Sequence, residues 1–337
     1  LSEQSRLERL RRLFSGAALP QGVTTGIGDD AAVLAPEPEA LVWTIDAAVE
    51  GVHFRRAWMS LEDVGYRSLM AATSDLAAMG ARPRGVLSAL VLPGDFSDEE
   101  LDRLARGQAE AAKSLATAII GGNLARGAEL SITTTVLGCA EKPLLRAGAA
   151  PGDVVAIAGT LGLAGAGVRA LERGALSEAA NLGATERGGV GDGAPAPISA
   201  VERAIASYRR PRALLEEGLA AASRAHAAID VSDGLALDAA RLASESGVAI
   251  VLDADKVLGA GGAELADVAS ALSLDALELA LYGGDDYALV MAFAPGALPR
   301  GFRAIGACQS GSGLLLRAAD GALRALEARG YDHFSSD

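Results

Sequence analysis

The chain has 337 residues, half of them hydrophobic and 22% charged, which suits two α/β domains better than one small core. Its formal net charge of −13 and 4% aromatic content argue against nucleic-acid binding, because phosphate backbones select basic surfaces and bases select aromatic platforms. Cys139 and Cys308 are too few for a disulfide framework or thiolate cluster; with no leader and no apolar run of roughly 18 residues, a cytoplasmic protein without a membrane partner is expected.

In chain order, residues 7–14 read as a short helix, followed by a Gly-rich turn at Gly26-Ile27-Gly28. Leu41–Ile45 reads as a buried strand ending at Asp46. Ser60 opens a helix with Asp63 at its third position and Met59 and Val64 as a hydrophobic staple; that helix runs past Asp75 to Gly80. Strands follow at Gly85–Leu92, Ala118–Ile120 and Leu130–Leu137, with a helix between the first two opened by the capping box Ser97-Asp98-Glu99-Glu100. Pro151-Gly152-Asp153 marks a turn and a domain boundary, dividing residues 1–148 from 149–337. Val154–Ala158 is the next strand, and a helix starts after Gly159-Thr160-Leu161-Gly162. Residues 174–200 read as a surface loop. Beyond it come a helix from Pro211, a strand Ala228–Val231, a helix from Leu235, and strands Val248–Leu252, Tyr287–Phe293 and Leu314–Leu316. The fold class is α/β (α+β).

Gly26-Ile27-Gly28-Asp29-Asp30-Ala31 imitates a dinucleotide fingerprint, but two adjacent carboxylates would face the pyrophosphate, so that reading fails unless metal intervenes. An ordinary acidic turn is the alternative. Acids recur in similar settings: Asp46 after a strand, Asp75 in Ser74–Gly80, Asp230 and Asp233 in Ile229–Gly234, and Asp285 and Asp286 in Gly283–Tyr287. They sit among Gly, Ala, Ile, Val and Met rather than beside Lys or Arg, which predicts partial burial and too few cations to pair them. Metal answers that need, and all-oxygen ligands favour magnesium or calcium over zinc. Spread over this many residues, the set suggests several magnesium ions bridging a polyphosphate. Ile120-Gly121-Gly122-Asn123, a strand running into a double glycine, could admit a phosphate to the backbone or be a plain turn. His226, in an Ala-rich helix end, reads as structural, and His53, just behind Asp46, as a ligand candidate. No Walker A sequence, kinase catalytic loop or nucleophile elbow is present.

In order, Gly26–Ala31, Asp46–Phe54, Ser74–Ala81, Gly121-Gly122-Asn123, Arg146 with Gly148 and Pro151-Gly152-Asp153, Ile229–Leu235, Gly283–Tyr287 and Gly330–Phe334 resemble the thiamine-monophosphate kinase family. This family belongs to the superfamily of aminoimidazole-ribonucleotide synthetase. The resemblance spans nearly the whole chain. It implies a two-domain aminoimidazole-ribonucleotide synthetase-like fold: an N-terminal mixed sheet meets its copy in a homodimer, and a C-terminal α/β domain completes a cleft. It also implies transfer of the ATP γ-phosphoryl group to thiamine monophosphate. By motif match, Asp30, Asp46, Asp75, Asp230 and Asp233 would hold Mg2+, helped by Thr44 and the Ile45 backbone, with Asn123 as a further contact. Gly122, Asn123, Arg146 and Ser232 would bind ATP; His53, Asp285 and Tyr331 would line the acceptor pocket; Asp29 would serve the turn or support the ligands from behind. Two positions depart from the family: Asn123 stands where Asp is frequent, and Asp285 where Glu is common.

A phosphate-monoester acceptor has a second pKa near about 6 and is already largely deprotonated at neutral pH, so no general base is required. The barrier is repulsion between two anions, which bridging metal relieves. Direct in-line transfer with no acid–base residue is therefore expected. The alternatives are another ATP-dependent enzyme of the superfamily, against which Val49–Phe54 and Tyr331–Phe334 speak, and a non-catalytic Mg-nucleotide-binding protein.

Overall fold

The structure is a computed structural model describing residues 3–14, 19–27, 31–174 and 199–331. The expected loop at 174–200 falls almost wholly outside these residues, as do Gly28, Asp29, Asp30, His333 and Phe334. Among the described residues no single helix is long and apolar enough to cross a membrane.

After α1 (Glu3–Phe14) and a small ribbon of β1 (Val23–Thr25) and β2 (Val33–Leu34), the chain builds a four-stranded mixed sheet. Its strands are β3 (Ala40–Val49), β4 (Arg82–Leu92), β5 (Ile119–Arg126) and β6 (Ser131–Ala140), in the order β3-β6-β4-β5. Only β4 and β5 run parallel; the other pairs are antiparallel. Two helices cover the inner face, α2 (Leu61–Ala78) and α3 (Asp98–Ser114). Both start as their sequences require: Ser60 accepts from the Asp63 amide, and Ser97 with Glu100 closes a capping box. The helices meet where Gly65 leaves no room for a side chain, since a Cβ there would lie 2.1 Å from the Leu104 carbonyl oxygen.

The second half forms a seven-stranded sheet in the order β13-β12-β9-β11-β7-β10-β8. The strands are β7 (Val154–Ala158), β8 (Ala225–Val231), β9 (Ala249–Asp253), β10 (Ala288–Phe293), β11 (Arg303–Gln309), β12 (Gly313–Arg317) and β13 (Leu323–Ala325). The helices are α4 (Leu163–Glu172), α5 (Ala200–Arg209), α6 (Leu215–Ala221), α7 (Leu235–Ser246), α8 (Ala254–Leu272) and α9 (Ala276–Tyr282). Every residue of β10 is buried, as its uninterrupted apolar run predicts for a strand covered on both faces. Leu289, Met291 and Phe293 share a core with Leu69, Leu76 and Val136, so α2 packs between the two sheets.

Four sequence expectations are corrected. The strand at 41–45 continues to Val49, so Asp46 lies within β3 rather than after it. Gly121-Gly122-Asn123 lies inside β5 and is no turn; at Gly122 a Cβ would sit 1.9 Å from the Ser88 carbonyl oxygen, so the glycine lets two strands close. His226 belongs to β8, not a helix end, and its Nδ1 lies 2.9 Å from Asp153 Oδ2. Helix α5, absent from the sequence reading, ends just before the helix placed at Pro211; the latter begins instead at Leu215.

Candidate functional site

Strand β3 and the end of α2 bring the first acids together. Thr44 Oγ1 donates to Asp75 Oδ2 at 2.5 Å. Asp75 occupies the last turn of α2, which has no basic residue, and a helix C-terminus disfavours negative charge. Burial raises its pKa, the Thr44 hydroxyl opposes this, the nearby Asp46 carboxylate adds to it, and Arg146 counteracts. Asp46 is exposed and accepts from the Ala47 amide at 2.7 Å.

Asp230, near the end of β8, is 6% exposed. Its carboxyl is pushed up to about 7, first by burial and then by the charge of Asp75, while the Ser74 hydroxyl works the other way. Beyond β8 the chain turns through Ser232-Asp233-Gly234 into α7, with Gly234 at φ +122°. Asp238, buried in the first turn of α7, accepts from the Ser232 and Asp233 amides at 3.1 Å each. Arg241 Nη1 lies 2.6 Å from Asp233 Oδ2 and 2.7 Å from Asp238 Oδ1.

The Gly283–Tyr287 loop is stitched onto this turn: the Asp285 amide donates to the Ser232 carbonyl and the Tyr287 amide to the Val231 carbonyl, both at 2.8 Å. Asp285 and Tyr287 take φ of +60° and +48°, a left-handed backbone that non-glycine residues adopt only when held. Asp285 Oδ1 receives Arg67 Nη2 at 2.5 Å and the Tyr287 hydroxyl at 3.2 Å. The buried Tyr287 phenol is raised well above its usual pKa, chiefly by burial, with Arg67 opposing and the carboxylates of Asp285, Asp46 and Asp230 adding. The carboxylates that act on this phenol come from three distant segments of the chain. Asp286 turns away to cap α4, accepting from the Gly162 amide at 2.7 Å, and its burial raises the carboxyl to about 8.

Around the acids, His53 Nδ1 accepts from the Val49 amide at 3.1 Å, and the His53 carbonyl accepts from the Tyr208 hydroxyl at 3.1 Å. The Tyr331 amide donates to the Asp233 carbonyl at 3.0 Å, bringing the C-terminal segment onto the same turn. A cleft of about 200 Å³ lies beside the Asp285 loop, its lining including Thr160, Ser207, Arg210 and Arg212.

The structure thus gathers Thr44, Asp46, Asp75, Arg146, Asp230, Ser232, Asp233, Asp285 and Tyr331 into adjoining surfaces. Ile45 lies between Thr44 and Asp46 with its side chain on the opposite, exposed face. Gly122 and Asn123 do not join them. Asp46 pairs across the sheet with Thr134, then Ser88, then Gly122, and β3 and β5 form opposite edges. Three strand spacings put them about 14 Å apart. Two cations absent from the sequence reading pair these acids: Arg241 meets Asp233 from two turns into the helix that follows it, and Arg67 meets Asp285 from the distant α2. A lone arginine within the apolar run of α2 was the available signal for Arg67.

Residues 28–140 match the family described as AIR synthase related protein, N-terminal domain. The thiamine-monophosphate kinase of Mycobacterium tuberculosis is 33% identical over 312 residues, covering 90% of this chain and 85% of that protein. The crystal structure of thiamine-monophosphate kinase from Stenotrophomonas maltophilia superposes with a TM-score of 0.74 at 32% identity, covering 95% of this chain and 97% of that one. AaThiL, solved in complex with AMPPCP and TMP, gives a TM-score of 0.76 at 28% identity, covering 99% and 97%. Likeness at this level over nearly the full length of both partners establishes that this chain belongs to the thiamine-monophosphate kinase family.

Proposed function

We propose that the chain phosphorylates thiamine monophosphate to thiamine diphosphate with ATP as donor, through direct in-line transfer. The observation that carries this reading is the convergence of Asp46, Asp75 and Asp230 at a point where burial and mutual repulsion raise two of the three. Unpaired carboxylates in such a place fit divalent cations, and their oxygen-only chemistry fits Mg2+. Asp46, Asp75 and Asp230 would hold the ions, with Asp233, whose Oδ2 also meets Arg241, and Asp30 joining by their motifs. Bound Mg2+ would neutralise the phosphates of donor and acceptor and let them approach.

The chain's own residues then orient. Thr44 fixes one oxygen of Asp75. Arg146 brings positive charge beside Asp75 and toward the ATP phosphates. Asp238 holds the Ser232–Asp233 turn by its amides. His53, Asp285 and Tyr331 form the acceptor side. No residue is assigned as a proton acceptor, because the attacking phosphate oxygen is already ionised at neutral pH.

The reading includes a homodimer. Leu41, Trp43 and Ile45 line one face of β3 at 62%, 69% and 67% exposure, and Leu87 extends that face on β4. An apolar stripe of this kind marks an interface. A second copy would bury it and offer its own Gly122-Asn123 edge to the site, supplying what the β3–β5 separation denies within one chain. Residues 1–148 would then bind ATP and metal and dimerise, while 149–337 complete the cleft. Two buried free cysteines accord with a reduced cytoplasm.

The test is a phosphoryl-transfer assay comparing thiamine monophosphate with unphosphorylated thiamine, with and without Mg2+. Mg2+-dependent ADP and thiamine diphosphate formation from the monophosphate alone is expected. Equal use of both acceptors would overturn the substrate assignment, and Mg-ATP binding with no ADP formed would leave a non-catalytic nucleotide-binding protein.

A further inference from the structure

Arg67 is 6% exposed, and among the described residues no other arginine or lysine is buried. Removing a guanidinium from water is costly before compensation, and an apolar side chain in α2 would fill the space at less cost. What it gains instead is a junction. Nη1 donates to the Tyr208 carbonyl at 2.6 Å, and Nη2 to Asp285 Oδ1 at 2.5 Å. The guanidinium also lies 4.5 Å from the Tyr208 ring centre and 5.7 Å from that of Tyr287. One planar group therefore ties α2, α5 and the Gly283–Tyr287 loop together, and Tyr208 carries the tie onward to the His53 carbonyl.

This arrangement leaves Asp285 asymmetric. Oδ1 is taken by Arg67 and the Tyr287 hydroxyl, whereas Oδ2 has no hydrogen-bond partner among the described residues and the side chain is 32% exposed beside the cleft. A purely structural ion pair would gain by using both oxygens of a carboxylate on a two-pronged guanidinium. Here the second prong goes to a backbone carbonyl, and one carboxylate oxygen stays available.

We propose that Arg67 is a positioning residue for the acceptor: by fixing Oδ1 it aims Oδ2 of Asp285 at a donor or cationic group of the substrate. The inference rests on the proposed function, which puts Asp285 in the acceptor pocket. Arg67 makes no hydrogen bond or ion pair with Asp46, Asp75 or Asp230; its polar partners are Asp285 and the Tyr208 carbonyl, so its first effect falls on the acceptor side.

The test measures KM for thiamine monophosphate, KM for ATP, kcat and Tm in wild type, Arg67→Met, Arg67→Lys, Asp285→Asn and the Arg67→Met/Asp285→Asn double variant. Arg67→Met is expected to raise the acceptor KM about tenfold or more while the ATP KM stays within about twofold. Arg67→Lys, which keeps the charge but not the fork, recovers part of the loss. The double variant should be no worse than the poorer single, because both remove one interaction. An acceptor KM unmoved in Arg67→Met, an equal rise in the ATP KM, multiplying defects in the double variant, or no recovery with Lys at a restored Tm would each overturn the proposal. If Arg67→Met does not fold, Arg67→Gln is judged by the same KM criteria. A wild type that fails to turn over thiamine monophosphate overturns the proposed function and this inference together; a normal wild type with an unshifted variant overturns this inference alone.

Discussion

At Asp230, burial and the facing Asp75 carboxylate raise the pKa to about 7, so near neutral pH the folded, metal-free chain holds a charge it would rather lose. Replacing Asp230 by Asn keeps the shape and removes the charge. Under the proposed function the variant should lose about a hundredfold or more in kcat, since it would lack a carboxylate for the metal, yet its metal-free form should gain roughly 1–4 kcal/mol of stability at pH 8. Turnover and thermal melts on the same sample check both halves; lost activity with lowered Tm would mean Asp230 serves the fold instead. Asp233 is arranged differently, because Arg241 already balances it. These contrasts show what could be read in advance. Acids among small and apolar neighbours announced themselves, and Asp75 and Asp230 proved to be half-buried and buried. Their environment was less legible: Asp238 caps the turn five and six residues before it, a local signal that the acid-rich segment hid, whereas Arg67 in α2 reaches Asp285 only through tertiary packing.

Among the elements, β3 carries two opposed duties on its alternating faces. Thr44 points to Asp75, while Trp43 and Ile45 form an exposed apolar stripe. If the proposed homodimer forms on this stripe, Trp43→Arg should yield a monomer by light scattering, with Mg-ATP affinity lowered about tenfold or more because the partner's β5 edge would depart with it. A dimer that survives the change would refute this use of the stripe. The Ser60 cap of α2, the capping box of α3 and the run of β10 were plain in the sequence, because those signals are local. The extension of β5 through Gly121-Gly122-Asn123 was hidden, since glycines read as a turn until the neighbouring Ser88 carbonyl is known to need the space.

For the molecule as a whole, three buried carboxyls set a pH dependence: Asp238 is raised to about 6, Asp230 to about 7 and Asp286 to about 8, each chiefly by burial. Each binds its proton more tightly folded than unfolded, so stability is greatest with all three protonated and declines as pH climbs from about 4 through 8. Opposing carboxylates, such as Asp102 held low by Arg9 and Glu62 by Arg103, lose their contribution only below about 4.5. The metal-free protein should thus melt at higher temperature at pH 5.5 than at pH 8, and Mg2+ should raise Tm more at pH 8. Calorimetry across that range decides it; a Tm that rises with pH would contradict the burial assigned to these groups.

Strand β7 lies inside the seven-stranded sheet, yet both of its neighbours, β10 and β11, are encoded far downstream. During synthesis β7 emerges roughly 130 residues before β10, a wait of roughly 7–26 s at ribosomal speed. Throughout it, Val155, Ile157 and Ala158 have an unpaired backbone on either side and apolar surface that water would otherwise meet. The interleaved order that joins the Ser232 turn to the Asp285 loop therefore leaves both edges of β7 uncovered while the chain is made, and delays the site until Tyr331, beyond β13, has been added.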